Sequence, residues 1–374
     1  MKRVLVTGAA NIGKAGVATI VYKWGQQFDS EKVVYDYLMQ SGLPEEKYQD
    51  AIREKGGIIY TLNEKRSMLG IIKWVQEIIE SNNYKVLHIN SDSAYIAAAY
   101  IFAAKRAGIE HIYVHSHCTQ IDDNNKIKRF IKTTIHKICK PYVIRNTDMF
   151  LACSKLAGEW MFGKKNTNSK KYKTIFNGVE VESYLYDANI RNQYRSDLKF
   201  EDSFVIGNIG RFSYQKNQDF LVEVFSRFIK SHPNSKLVFV GGGELESSIK
   251  DKVNTLGLNE KVVFLGLRND VPSLLSAFDV MVMPSRFEGL PVTMVEAQMA
   301  SLPCVVSANI TDEAQFTANI QYVQGWESEK WIDAINRYLD IERKCDRIEL
   351  LSSAFNIEIA TRELMEILLG EKIK

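Results

Sequence analysis

Short apolar runs rich in valine and isoleucine alternate with helix-length segments along the whole chain, and the alternation starts twice. The first series runs through "RVLVT", "KVVYDY", "GIIYTL", "KVLHIN", "HIYVH", "MFLAC" and "KTIFN". The second runs through "SFVIGNIG", "KLVFVGGG", "KVVFLG", "DVMVMPS" and "PCVVSA". Helical stretches such as "SMLGIIKWVQEIIES" and "SAYIAAAYIFAAKRAG" lie between them, the latter stopped by Gly108. β-Branched strands alternating with helices predict parallel sheets covered on both faces. Two series predict an α/β protein of two Rossmann-like doubly wound domains facing across a crevice, with ligands near the strands' carboxyl ends. The stretch from Asn177 to Ser203 has no sustained period and is rich in polar and turn residues, which makes it the boundary. It divides the chain into a first domain, 1–185, and a second, 186–355. A terminal helix, 356–374, either finishes the second domain or crosses back to the first.

The length of 374 residues suits two domains. No segment approaches 18 uninterrupted apolar residues, and Lys14 with its neighbouring glycines breaks any leader-like apolar run near the start, so a cytoplasmic protein is expected. Five scattered cysteines (Cys118, Cys139, Cys153, Cys304, Cys345) form no C-x-x-C, which argues for thiols and against a zinc site. The net charge of +3 is unevenly placed. Residues 105–175 carry 15 Lys and Arg against 5 Asp and Glu, while the remainder carries 33 against 40. A basic zone on an otherwise acidic chain points to an anionic partner or to a solvated face.

The opening loop "TGAANIGKAG" satisfies a Walker A pattern from Gly8 to Lys14 but ends on Ala15, which removes the hydroxyl that would ligate Mg²⁺. A short-chain dehydrogenase fares no better, since none of the 17 tyrosines has a lysine four positions on. A glycine-rich turn between the first strand and the first helix is the plainer reading.

The chemistry concentrates in "MPSRFEGLPVTMVEAQMASLPCVVS", from Met283 to Ser307. A strand ends near Met283, a loop carries Glu288, Gly289 and Leu290, and Pro291 sits where a helix begins. Such a helix start offers free N–H groups and a positive dipole end to a phosphate or carboxylate. Glu288 in the loop and Glu296 in the second helical turn can reach different parts of one elongated ligand. Upstream, "GNIGRFSYQKNQDFLVEVF" leads from a strand into Gly210, Arg211 and Lys216. A guanidinium fork and an ammonium together can balance a diphosphate.

The segment E-G-L-P-V-T-M-V-E, with G-R-F-x-x-x-K-N upstream and V-G-G-G-E between, resembles the donor domain of retaining glycosyltransferases of family 4, enzymes of GT-B architecture. "HIYVHSHCTQ", "LACSKLAGEWMFGKK" and "TIFNGVEVESYLYD" extend the resemblance over nearly the whole chain, toward the exopolysaccharide and capsular polysaccharide branch. The resemblance implies that Arg211 and Lys216 hold the donor diphosphate with Gly210 beside them, that Glu296 binds the ribose, and that Glu288 contacts the transferred sugar. It also implies that the backbone of Gly289 and Leu290 faces the sugar or phosphate and that the turn at Leu265 takes the base. His115 matches the family histidine near the reacting face, with His117 its rival. The opening loop becomes a phosphate-side loop, with Gly13 for close backbone approach, while Lys14 reads as a solvated lysine before it reads as a further charge near phosphate. "GAANIGKAG" departs from the family's usual form of that loop.

The expected activity is retaining, metal-independent transfer from a nucleotide-sugar, UDP-linked by family weight, to a lipid-linked saccharide at the inner face of the cell membrane. No cofactor is expected, and Asp122-Asp123 is a poor D-x-D. A non-catalytic nucleotide-sugar-binding subunit is the alternative. A two-carboxylate hydrolase is disfavoured by the diphosphate site beside the carboxylates. His88, His111, His136 and His232 read as structural or solvated. In "NNKIKRFIKTTIHKICKPYVIR", apolar residues recur at helical spacing among lysines. Region 126–145 therefore fits either peripheral contact with an anionic membrane or a core-facing helix with a wet basic face. Nucleic-acid binding lacks any supporting module.

Overall fold

The computed structural model describes residues 1–10, 12–13, 16–40, 42–62, 67–343 and 346–371. Lys14, Ala15 and Cys345 lie outside them. The chain forms two compact units. The first comprises Met1–Ile121, Lys126–Gly178 and the segment from Ile357 onward; the second comprises Asp122–Asn125 and Val179–Asn356. The change of unit falls at Gly178 and Val179, because the short Val181–Tyr184 helix packs on helices of the second unit.

The first sheet holds β1 (Lys2–Val6), β2 (Val33–Met39), β3 (Ile59–Thr61), β4 (Val86–Ser91), β5 (His111–Ser116), β6 (Met149–Ala152) and β7 (Tyr172–Thr174). Their spatial order is β3-β2-β1-β4-β5-β6-β7, all parallel. The chain leaves β1 toward one edge and returns at β4 toward the other, so the strand order reverses between β1 and β4. Every residue of β2 and β4 is buried, as strands covered on both faces require. The one carboxylate in β2, Asp36, is fully enclosed and fully engaged. It accepts from Arg3 Nε, Tyr84 Oη and the Ile58 amide, each at 2.7 Å.

Local signals set the helices. Met68–Asn82 begins after Ser67, whose Oγ accepts from the Gly70 amide at 3.3 Å, and ends at Asn83 in the left-handed region. Ala94–Arg106 stops just before Gly108. The final helix, Ile357–Leu369, inserts Ile357, Ala360, Leu364, Ile367 and Leu368 into the first unit's core beside Val4, Val6 and Trp24. Lys2 Nζ meets the Leu368 carbonyl at 2.9 Å, placing a cation at that helix's carboxyl end.

The second sheet holds β8 (Phe204–Ile209), β9 (Ser235–Val240), β10 (Val262–Phe264), β11 (Val280–Met283), β12 (Cys304–Ser307) and β13 (Ile320–Val323). The order is β10-β9-β8-β11-β12-β13, again all parallel, with the reversal between β8 and β11. β13 is absent from the strand runs read in the sequence. "IQYV" carries a glutamine, pairs with β12 alone and is mostly half-buried, so it lacks the apolar continuity of the inner strands.

Candidate active site in the second unit

The carboxyl ends of β8 and β11 flank the reversal point, and the residues singled out in the sequence gather there. β8 runs out into Gly210 and Arg211, and β11 into the loop that carries Glu288. The turn after β9 presses directly on the turn after β8. Gly241 has φ +134°, and a Cβ there would lie 2.2 Å from the Gly210 carbonyl oxygen, so only glycine permits the approach. A Cβ on Gly210 would in turn lie 3.1 Å from Lys216 Cε.

Glu288 is 5% exposed, and both of its oxygens are held. Lys216 Nζ donates to Oε1 and Gln215 Nε2 to Oε2, each at 2.7 Å. Arg211 has a 60% exposed side chain and pairs with Asp122, whose other oxygen accepts the Gln215 amide at 3.1 Å. Asp122 groups with the second unit, so a carboxylate rests where one guanidinium and one backbone N–H converge. Such a pair of donors suits any oxyanion.

Pro291 caps the Val292–Met299 helix from outside and does not open its first turn as read from the sequence; the helix itself starts at Val292. Glu296 lies in the second turn, half-buried, and its Oε1 accepts from Tyr184 Oη at 2.7 Å. Beside that carboxylate, burial and its negative charge push the Tyr184 phenol well above its ordinary pKa, so the hydroxyl donates. Gly289 and Leu290 are buried in the loop. Leu265 follows β10, half-buried, with its amide bonded to the Phe239 carbonyl at 2.9 Å.

Three residues of the site went unread in the sequence: Gln215, Arg286 and Tyr184. Arg286 ties the loop after β11 to the loop after β8. Its amide donates to the Gln215 carbonyl (2.7 Å), its Nε to the Tyr214 carbonyl (3.2 Å), and its guanidinium lies 4.7 Å from the Tyr214 ring centre. The available signal was position alone, since Arg286 stands two residues before Glu288 and Gln215 one before Lys216.

The first unit holds the remaining candidates. Gly13 is exposed, and its amide donates to Thr19 Oγ1 at 3.1 Å. His115 is wholly enclosed, stacked 5.1 Å from Trp24 and 4.3 Å from His117 between ring centres, because its position in β5 points it under the Gly16–Gln27 helix. Both ring nitrogens are buried, and burial drives its pKa well below the ordinary histidine value. His117, one residue past the strand, is 7% exposed. His88 is buried with Nδ1 2.6 Å from Tyr35 Oη. His136 Nδ1 accepts the Ala94 amide at 3.0 Å, which is a structural use. His111 is exposed and His232 stacks on Phe228.

Residues 189–349, inside the second unit, match the family "Glycosyl transferases group 1". A protein of Bacillus subtilis (strain 168) named as a glycosyltransferase, EpsF, is 28% identical over 83% of this chain and 80% of its own. The UDP-Gal:alpha-D-GlcNAc-diphosphoundecaprenol alpha-1,3-galactosyltransferase of Escherichia coli is 28% identical over 67% of this chain and 63% of its own. Among solved structures, HepE of Anabaena in complex with UDP and glucose superposes with a TM-score of 0.75 at 18% identity, covering 98% of this chain and 99% of that one, a likeness of fold. Two parallel Rossmann-like sheets give the chain the GT-B fold, and the glycosyl transferases group 1 match lies over the site itself, in the second unit.

Proposed function

We propose that this chain is a retaining, metal-independent glycosyltransferase and that it moves a sugar from a UDP-sugar to a lipid-linked glycan in bacterial surface polysaccharide assembly. The observation that carries the reading is the convergence of Arg211, Lys216 and the Gln215 amide at the reversal point of the second sheet, with Glu288 and Glu296 beside them. Two cations and a backbone donor supply the positive charge that a departing diphosphate needs. Asp122 yields Arg211 to that diphosphate, and Lys216, with three donor hydrogens, serves Glu288 and a phosphate together. Glu296, oriented by Tyr184, takes the ribose, and Glu288 the transferred sugar. The acceptor oxygen bonds to the anomeric carbon on the face from which the diphosphate leaves. The C–O bond electrons depart with the β-phosphate, and the acceptor's proton passes to that phosphate. The acceptor class agrees with the diphosphoundecaprenol-linked sugar in the name of the E. coli relative.

The acceptor's place in a membrane gives a use to the Lys126–Asn146 helix, which carries no acidic residue. At 100° per residue, Ile127, Ile131 and Ile138 share one stripe and the buried His136 and Val143 lie on the opposite one. Ile127, Phe130 and Ile138 are 71%, 73% and 71% exposed. The core-facing alternative for this helix therefore does not hold. Its apolar stripe is turned outward, flanked by Lys126, Lys128 and Lys137, which suits an anionic bilayer at the membrane's inner face.

The test is thermal melting with UDP, GDP, ADP, ATP and NAD in the absence of added metal. A ligand at a hundred times its Kd adds about 2.7 kcal/mol of stability. A shift with UDP that is lost in Glu296→Ala supports the reading. A response confined to ATP with Mg²⁺, or to NAD, overturns it. The anomeric configuration of the product, read by NMR, decides retention.

A further inference from the structure

The oxyanion site of the second unit depends on an N–H whose direction is set from behind. The Gln215 amide that donates to Asp122 belongs to the peptide group joining Tyr214 and Gln215. The carbonyl of that same peptide group accepts from Arg286 Nε at 3.2 Å. In a trans peptide the C=O and N–H point opposite ways, so Arg286 stands behind the group and Asp122 in front of it. The next peptide group is pinned by the same residue, with the Gln215 carbonyl taking the Arg286 amide at 2.7 Å. Its N–H, on Lys216, closes the turn onto the Ser213 carbonyl at 3.2 Å.

Arg286 also holds the far end of the turn. Asn217 lies in the left-handed region, with φ +56°, just before the Gln218–Ser231 helix, and is 3% exposed. An asparagine at such a place ordinarily turns its oxygen onto the amides of the first helical turn. Asn217 makes no such bond, and its Oδ1 accepts from Arg286 Nη2 instead. A local cap is given up for a tie between loops 69 residues apart. The guanidinium is packed by aromatic rings, its carbon lying 4.7 Å from the centre of Tyr214 and 5.9 Å from that of Trp326.

We infer that Arg286 is a positioning residue: from behind the Tyr214–Gln215 peptide it aims the Gln215 N–H at the phosphate of a nucleoside diphosphate, and through Asn217 it fixes the turn that presents Lys216. A cation on the carbonyl polarises the peptide group and makes its N–H the stronger donor. Lysine cannot take this place, because an ammonium has no planar fork to reach the Tyr214 carbonyl and Asn217 Oδ1 together while stacked on a ring. The ligand class rests on the donor-site reading; the aim of the N–H rests on the hydrogen bonds alone.

The experiment titrates the full chain with UDP and pyrophosphate by calorimetry and with uridine by ligand-observed NMR. Arg286→Lys should weaken UDP and pyrophosphate by roughly tenfold to a hundredfold and leave uridine, which has no phosphate, unchanged. Asn217→Gly keeps the left-handed turn without strain and removes the oxygen, so it should weaken UDP in the same selective way. The two substitutions together should cost no more UDP affinity than Arg286→Lys alone, because both break one tie. Uridine binding that falls in step with UDP overturns the inference, since a loosened fold would do the same. So does a folded Arg286→Lys that binds UDP as the wild type does, or losses that multiply in the double variant. If Arg286→Lys does not fold, Asn217→Gly decides by the same comparison of UDP with uridine. If UDP fails to bind the wild type, the donor reading falls and pyrophosphate judges Arg286. A loss of pyrophosphate affinity in Arg286→Lys then keeps the inference, and undiminished or absent pyrophosphate binding overturns it.

Discussion

Arg211 and Lys216 differ in what surrounds them, and that difference sets what their removal should do. Arg211 is mostly exposed, so Arg211→Ala should leave the melting temperature nearly unchanged while lowering kcat by about a hundredfold to a thousandfold, the usual effect of losing one preorganised donor. Lys216 is 16% exposed and faces a Glu288 side chain that is 6% exposed. Lys216→Ala removes that carboxylate's cation and should cost stability as well as rate, on the order of 3 kcal/mol. Paired denaturation and rate measurements check both, and equal stability losses in the two variants would contradict the geometry. A second residue-level expectation concerns pH. His88 and His117 have pKa values lowered to about 3 by burial, against 6.5 in an open chain. The unfolded state therefore takes up protons first as pH falls, so the stability these rings contribute is complete above pH 6.5 and is lost between 6.5 and 3. By pH 5 the loss should be about 2 kcal/mol for each ring, and a melting temperature that is flat from pH 7 to 5 would exclude it. Glu288, Glu296, Arg211 and Lys216 were legible in the sequence because each stands at a strand-to-helix turn with a local signature. Tyr184 and Gln215 were not, because their meaning comes from carboxylates 112 and 73 residues away.

Among the elements, the Lys126–Asn146 helix was legible as amphipathic but not in its orientation. Periodicity gives the angle between two faces and is silent on which face the fold covers. The buried side here is the mixed one, with His136 bonded to the Ala94 amide and Lys140 Nζ to the carbonyls of Glu159 and Trp160. The polar packing that decides the orientation carries no apolar signal. Anionic vesicles of phosphatidylglycerol and phosphatidylcholine should therefore sediment the protein, and pure phosphatidylcholine should do so poorly. Ile127→Ser, Phe130→Ser and Ile138→Ser combined should abolish binding without lowering the melting temperature, since each side chain is already in water. Each exposed isoleucine or phenylalanine stands to gain roughly 1.5–3 kcal/mol on burial, and each nearby lysine about 1 kcal/mol beside anionic lipid. Sedimentation that ignores either the triple substitution or the lipid charge would remove the surface from consideration. The Ile320–Val323 strand shows the complementary limit, since a short edge strand with a glutamine inside it gives too little period to read.

At the scale of the whole chain, the two units repeat one strand order, and the terminal helix settles a matter of membership that sequence left open. Ile357–Leu369 is amphipathic and would suit either unit by pattern alone; only the core that receives it decides. That core is the first unit's, where Leu364 and Leu368 are fully buried and Ile357 nearly so. Four such side chains (with Ile367) contribute about 1.5–3 kcal/mol each, a sum comparable with the 5–15 kcal/mol of a typical domain's entire stability. The segment is thus a condition of the first unit's folding, although residues Val179–Asn356 of the second unit separate it in sequence from that unit's other residues. A chain ending at residue 356 should therefore keep the second unit's calorimetric transition and lose the first unit's. Near-ultraviolet dichroism from Trp24, which is buried in the core that the helix completes, should collapse with it. Restoring residues 357–374 as a separate peptide should bring the first transition back only at concentrations that saturate the vacated groove. A shortened chain whose first unit still melts cooperatively at its original temperature would show that the helix merely decorates a core already complete.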